Sequence, residues 1–250
     1  MKEIMWQKAL DLALFEWKIK LTNRLLIQFI TLITLFVYMI TVFNDAHFEE
    51  PILIFEMLFI AFLLLGYGWS TPMEFQLQRI NENHYASPVL FMLQNLPINK
   101  STLIRSRFLL FYLNLAPLLI LLFILFYISP AIRNVMTPYS YFVFSLFWIS
   151  FSLSFGSFLP ASDIRTRQMT QGKLLFYIFS FIVFISLITQ LGDFVYGGSF
   201  INLIIYLSNH DPFWLALFSI TLIPLTLVFG LNIFKRKYQK KTMTYLNKED

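Results

Sequence analysis

The chain has 250 residues, of which 58% are hydrophobic and 13% charged, with 30 Phe and a formal net charge of +5. Soluble domains carry roughly 25% charged residues, so the composition excludes an ordinary soluble domain and indicates a polytopic membrane protein. The absence of Cys excludes disulfides, thiolate metal sites and cysteine nucleophiles together.

In chain order, residues 1–24 precede the first apolar run. That run begins at Leu25 without a small-residue cleavage site, so an uncleaved span is expected in place of a signal peptide. Trp6, Leu10, Ala13, Trp17 and Leu21 recur at helical spacing, which predicts an amphipathic helix over 1–24 lying in the membrane interface. A second strip (Met5, Leu12, Phe15, Ile19) is free either to enter lipid or to contact another protein.

A span needs about 20 apolar residues. Six segments qualify: 25–43, 52–73, 108–128, 139–160, 174–192 and 213–234. The expected fold is therefore an all-α membrane protein whose six-span domain occupies 25–234. The third span is the most apolar, with 16 Leu, Ile or Phe from Phe108 to Ile128. Their insertion is favourable by at most roughly 5–10 kcal/mol, which Asn114 and Pro117 do not cancel. Before span one stand five Lys or Arg, between spans two and three four, between four and five three, and after span six six; the opposite loops hold only Arg133. By the positive-inside rule both termini are cytosolic.

Span two carries Glu56 near its outer end, a costly position for a carboxylate. Two readings stand: a shallow group reaching outer-leaflet water, or a cavity-lining charge with Arg133 as its basic neighbour. The longest hydrophilic insert runs from Glu74 to Arg107. In it Ser87 and Pro88 start a short helix, Val89 to Leu96, that ends at Pro97; Ser101 is expected to cap the next helix. Span four holds Ser140, Ser145, Ser150, Ser152, Ser154 and Ser157. Ser150, Ser154 and Ser157 share a face with Gly156 nearby, which suits either close helix packing or a polar strip along a transport path. Asn114 in span three joins Glu56 and these serines as a possible pathway residue. Gly197 and Gly198 precede an apolar run from Phe200 to Leu207, too short to span and expected to be re-entrant or interfacial. The basic tail, 235–250, begins KRKYQKK and suits anionic lipid; nucleic acid is not an expected partner.

Catalytic motifs are missing. No Walker loop or G-x-S-x-G elbow occurs. His47, His84 and His210 are expected in loops, and no helical His pair supports a metal site with Glu49, Glu50 or Asp211. Glu49-Glu50 is reminiscent of intramembrane CAAX-type proteases, whose companion motifs are absent. No catalytic or metal-binding residue is assigned.

The N-terminal interfacial helix, six spans, helix-bearing cytosolic loop and short helical element before span six together resemble the ABC-2-type exporter permeases. The closest local match is Leu96-Pro97-Ile98-Asn99-Lys100-Ser101, followed by Leu103 and Arg105. Size and composition also look like the membrane subunits of the staphylococcal phenol-soluble modulin exporter and of lantibiotic-immunity exporters. The resemblance implies a coupling helix at about 87–97 that docks on a separate cytosolic ATPase, the subunit that binds ATP and Mg2+. It places Tyr85, Ser87, Pro88, Leu90, Phe91, Gln94 and Asn95 toward the ATPase, and Val89, Met92, Leu93 and Leu96 against the span ends. It further implies a second permease subunit, identical or related, and export across the cell membrane of an amphipathic peptide or lipid-like cargo, with no cofactor bound by this chain. An intramembrane enzyme and a non-transport scaffold or assembly factor are the other classes the residues leave open.

Overall fold

Each segment expected to span overlaps a helix in the computed structural model, which describes residues 2–18, 21–42, 53–70, 78–81, 84–86, 98–156 and 171–246. The helices are α1 (Lys2–Lys18), α2 (Leu21–Val42), α3 (Leu53–Ser70), α4 (Lys100–Phe126), α5 (Pro130–Val135), α6 (Pro138–Gly156), α7 (Gln171–Tyr196), α8 (Phe200–His210) and α9 (Pro212–Leu246). Three stretches, Ser101–Phe126, Pro138–Gly156 and Pro212–Asn232, are long and apolar enough to cross a membrane; Gln28–Thr41 and Phe179–Gly192 are shorter apolar helices among the described residues.

The chain is not purely helical. Strand β1 (Gln78–Asn81) pairs antiparallel with β2 (His84–Ala86), Arg79 opposite Tyr85, with a register irregularity between Arg79 and Asn81. This hairpin corrects two expectations. Tyr85, carried by resemblance onto a coupling helix, lies in a strand, and His84 does so too. His210 is likewise the last residue of α8 and not a loop residue.

Helix starts also differ from expectation. Asn99, not Ser101, caps α4: its side chain accepts the Ser101 amide at 2.9 Å, satisfying one of the free first-turn N–H groups. The helix thus begins well before the apolar run at Phe108. Helix α7 continues past residue 192 to Tyr196, and α9 extends into the basic tail as far as Leu246. Pro130 opens the short helix α5 after Ser129, a position where its missing N–H costs nothing.

Interior packing centres on Trp148, fully buried on α6, with Phe59 edge-on at 4.9 Å and Phe144, Phe147, Phe151 and Phe200 around it. Leu35 and Met39 of α2, Ile60 and Leu63 of α3, Leu115 and Phe123 of α4, and Ile201 and Ile204 of α8 complete the same cluster. Small residues allow close approach. A Cβ on Gly156 would stand 2.8 Å from the Phe111 ring, so α6 meets α4 at a glycine. The opposite faces are apolar and exposed: Phe179, Leu187 and Phe194 on α7, and Phe213, Trp214 and Phe229 on α9. Exposed apolar stripes on helices whose backbones satisfy themselves suit lipid.

Candidate functional site

Two structural junctions carry the polar chemistry of the fold. One lies where α1 meets the base of α4. Ala9 and Ala13, both fully buried, and Glu16 follow at helical spacing and form the face that α1 presents to α4. Two alanines bring the backbones near, and Glu16 then reaches Arg107 at 2.7 Å with both side chains buried. Arg105 lies two positions earlier. Residues two apart on a helix point about 200° apart, so the arginines leave α4 on opposite flanks and engage different parts of α1. The Arg105 guanidinium lies 4.7 Å from the Trp6 ring centroid. On another side Phe108 packs against Gly230 of α9, where an added Cβ would sit 3.3 Å from the ring. The first turns of α4 are buried from Thr102 through Phe108.

This arrangement adds a packed face to residues 1–24: Ala13 of the expected stripe is buried with Ala9 and Glu16, while Trp6 and Leu10 of the same stripe and Phe15 of the second strip are exposed. A charged residue at a packed position is invisible to apolar periodicity. The available signal was a basic residue downstream, Arg107.

The second junction surrounds Glu56, in the first turn of α3. It is only 1% exposed. Its Oε1 accepts the Ile201 amide at 2.6 Å, and the Ser199 hydroxyl and Phe200 amide also donate to the carboxylate. Ser199 is itself the N-cap of α8, accepting the Asn202 amide at 3.0 Å. Glu56 is therefore a capping anion supplied from another helix, stabilising the free N–H groups and the positive end of α8. Both sequence readings are corrected: the carboxylate neither reaches water nor pairs with Arg133, which is exposed and donates to the Ile128 carbonyl.

The backbone delivers α8 to Glu56 through a sharp reversal. Gly197 has φ of 69°, a left-handed conformation suited to glycine. Gly192 lies so close to the returning chain that a Cβ would stand 2.3 Å from the Phe200 nitrogen. Ile201, Ile204 and Ile205 then turn inward while Tyr206 stacks on His210 at 4.1 Å on the outer side.

The remaining pathway candidates divide. Ser150 and Ser154 are buried in α6, beside the Gly156 contact. Asn114 is 1% exposed, and among the described residues neither of its side-chain polar atoms has a hydrogen-bond partner; its main-chain carbonyl accepts from Gln28 Nε2 at 3.4 Å. Ser157 and the expected coupling-helix residues Ser87, Pro88, Val89, Leu90, Phe91, Met92, Leu93, Gln94, Asn95 and Leu96 lie outside the described residues, as do His47, Glu49 and Glu50. Among the described residues no group of three His, Asp or Glu could hold a metal ion. No protein-family model, curated protein or solved structure matches the chain.

Proposed function

We propose that the chain is the six-span permease subunit of an ATP-driven ABC-2-type exporter that moves an amphipathic peptide or lipid-like cargo across the cell membrane. Helices α2, α3 and α7 add three spans to α4, α6 and α9. A separate cytosolic ATPase supplies ATP and Mg2+ chemistry, and a second permease subunit completes the pathway.

One observation supports this reading above the rest: α4 is one continuous helix from Lys100 to Phe126, with Pro117 inside it, and α1 is pinned to its base by a buried ion pair. A device on the preceding loop needs a stiff connection into the bilayer. At 1.5 Å per residue the stretch before Pro117 provides a rod about 25 Å long, and α1 ties the interface to the same rod. A displacement delivered just before Ile98 thereby becomes a displacement of a span. The polar atoms of Asn114 and the serines of α6 lie beside that rod, and the weakly charged interior fits an amphipathic cargo better than an ion.

The test is reconstitution. The chain is co-purified with a cytosolic ATPase bearing Walker and signature motifs, and ATP hydrolysis and peptide export are measured in lipid vesicles. Export driven by ATP is expected. Deletion of residues 88–96 should uncouple hydrolysis from export while insertion persists. Transport that survives the deletion, or a chain to which no ATPase binds, overturns the reading.

A further inference from the structure

Helices α4 and α9 each carry a proline in their interior, Pro117 and Pro224. Proline has no N–H, so the carbonyls four residues earlier, on Leu113 and Ile220, lose their helical donor, and the ring pushes the turn open. Neighbouring polar groups serve the backbone at both places, as a proline inside a bilayer requires. Gln28 Nε2 of α2 donates to the Asn114 main-chain carbonyl at 3.4 Å. In α9 the Thr226 hydroxyl donates back to the Leu222 and Ile223 carbonyls at 2.9 and 3.0 Å, a contact that bends helices. Both prolines are exposed, so neither ring is wedged in the interior.

The prolines also divide what each helix is fastened to. Before Pro117, α4 is tied to α1 through Glu16 and Arg107 at 2.7 Å and meets Gly230 of α9 through Phe108. After Pro117, the Phe123 carbonyl accepts from the Tyr141 hydroxyl of α6, and Phe123 lies edge-on to Phe144. Helix α9 shows the reverse order: Phe218, before Pro224, stacks on Phe147 of α6, and Gly230, after it, meets α4. The two helices therefore run antiparallel, converging on α6 at one end and on each other at the other. Counted from the Phe108–Gly230 contact at 1.5 Å per residue, Pro117 lies about 14 Å and Pro224 about 9 Å along, within one helical turn of the same level. At its inner end α6 reaches the Phe111 ring through Gly156, so it adds no interlocking side chain of its own there.

We infer that Pro117 and Pro224 are paired joints, about which an inner body rocks against an outer one. The inner body consists of α1, α4 up to Leu113 and α9 from Leu225; the outer body consists of α6 with the remaining segments of α4 and α9. Each joint lies where a helix has lost a backbone hydrogen bond and passes from one set of fastenings to the other. The inference stands on these four helices and does not rest on the permease reading.

The test is pulsed electron double resonance on the full chain in lipid nanodiscs, with neither ATPase nor cargo present, so its failure leaves the transport question separate. The chain has no Cys, so spin labels on introduced cysteine pairs report alone. Lys8→Cys with Ile124→Cys crosses the joints, Lys8→Cys with Asn232→Cys lies within the inner body, and Ile124→Cys with Phe213→Cys lies within the outer one; all four positions are exposed. A bend of about 20°, the scale of a proline kink, moves the end of an inner segment roughly 25 Å long by about 9 Å. The crossing pair should therefore show a distance distribution several ångströms wider than either reference pair. Pro117→Ala restores the missing N–H and should narrow the crossing distribution, and Pro117→Ala with Pro224→Ala should bring it to the width of the references. A wild-type crossing distribution no wider than the references overturns the joints, as does a width unchanged in the double variant. An inner reference pair as broad as the crossing pair assigns the motion to α1 or the end of α9 alone and overturns them equally.

Discussion

The Glu56 carboxylate accepts the Ile201 amide at 2.6 Å across 145 residues of sequence. A carboxylate inside an apolar bundle is here fixed by the end of a helix, with the Ser199 hydroxyl and Phe200 amide as further donors. The same contact fastens α8 to α3. The consequence is a local one. Glu56→Ala leaves buried first-turn N–H groups without an acceptor, at about 1–3 kcal/mol. Hydrogen exchange at residues 200–203 should accelerate in this variant well before exchange in α4 or α6 changes. Glu56→Gln, which keeps an acceptor oxygen and loses the charge, should show a smaller acceleration. Uniform acceleration across the helices would show that Glu56 supports the whole bundle and not the α8 end.

The buried pair Glu16–Arg107 predicts strong coupling. Removing either partner takes an opposite charge 2.7 Å away from the other in a low-dielectric seam, at about 3–5 kcal/mol. Glu16→Ala and Arg107→Ala should each lower the thermal midpoint in detergent substantially. The double variant Glu16→Leu with Arg107→Met should recover most of the loss, since no lone charge remains. Additive losses in the double variant would place the energetic effect elsewhere in α1.

Asn114 makes a separate prediction. Among the described residues neither side-chain polar atom has a partner, although the residue is 1% exposed. Asn114→Leu is close in volume and removes two unmet groups, so unfolding stability should hold or rise by about 1–3 kcal/mol. In vesicles holding the chain with the ATPase partner proposed for it, the same variant should lower peptide export, because the substitution removes the polar atoms beside the proposed path. Unchanged export with raised stability would assign Asn114 to packing alone.

Much of this fold was legible because lipid imposes one simple rule. Apolar runs of about 20 residues such as 108–128 and 213–234 must be helical, since a bilayer supplies no other partner for the backbone. The turn at Gly197 and the short helix after it were readable for a related reason: Phe200 to Leu207 is apolar and too short to cross. Contacts fixed by single polar residues were not readable. Glu16 is a charge flanked by the two apolar strips of its helix, and apolar periodicity says nothing of its partner, Arg107, 91 positions away. Glu56 read either as a shallow carboxylate reaching water or as a cavity-lining charge near Arg133, while its partners are two backbone amides and the Ser199 hydroxyl, a set with no sequence signature. The β1–β2 hairpin was hidden for the opposite reason. Its strands are too short and polar to show alternation, and Gln78 to Ala86 holds none of the Asn-Gly or Asp-Gly turn signals that announce a hairpin.

The reversal between α7 and α8 gives a prediction in which two glycines behave differently. At Gly197 a Cβ meets nothing within 4 Å, so the only cost of Gly197→Ala is the left-handed backbone, φ 69°, which disfavours an L side chain by roughly 1–2 kcal/mol. At Gly192 the obstacle is backbone: a Cβ would stand 2.3 Å from the Phe200 nitrogen and 2.4 Å from its Cα. Backbone cannot swing aside as a side chain does, so Gly192→Ala has to push the start of α8 away from α7. That shift pulls the Ile201 amide off Glu56. Gly192→Ala should therefore resemble Glu56→Ala in its exchange pattern at 200–203 and add a larger loss of thermal stability than Gly197→Ala. Combining Gly192→Ala with Glu56→Ala should cost less than the sum of the two, because the first already breaks the contact that the second removes. If the two losses add in full, the close approach at Gly192 and the carboxylate cap act independently, and the reversal does not position α8 for Glu56.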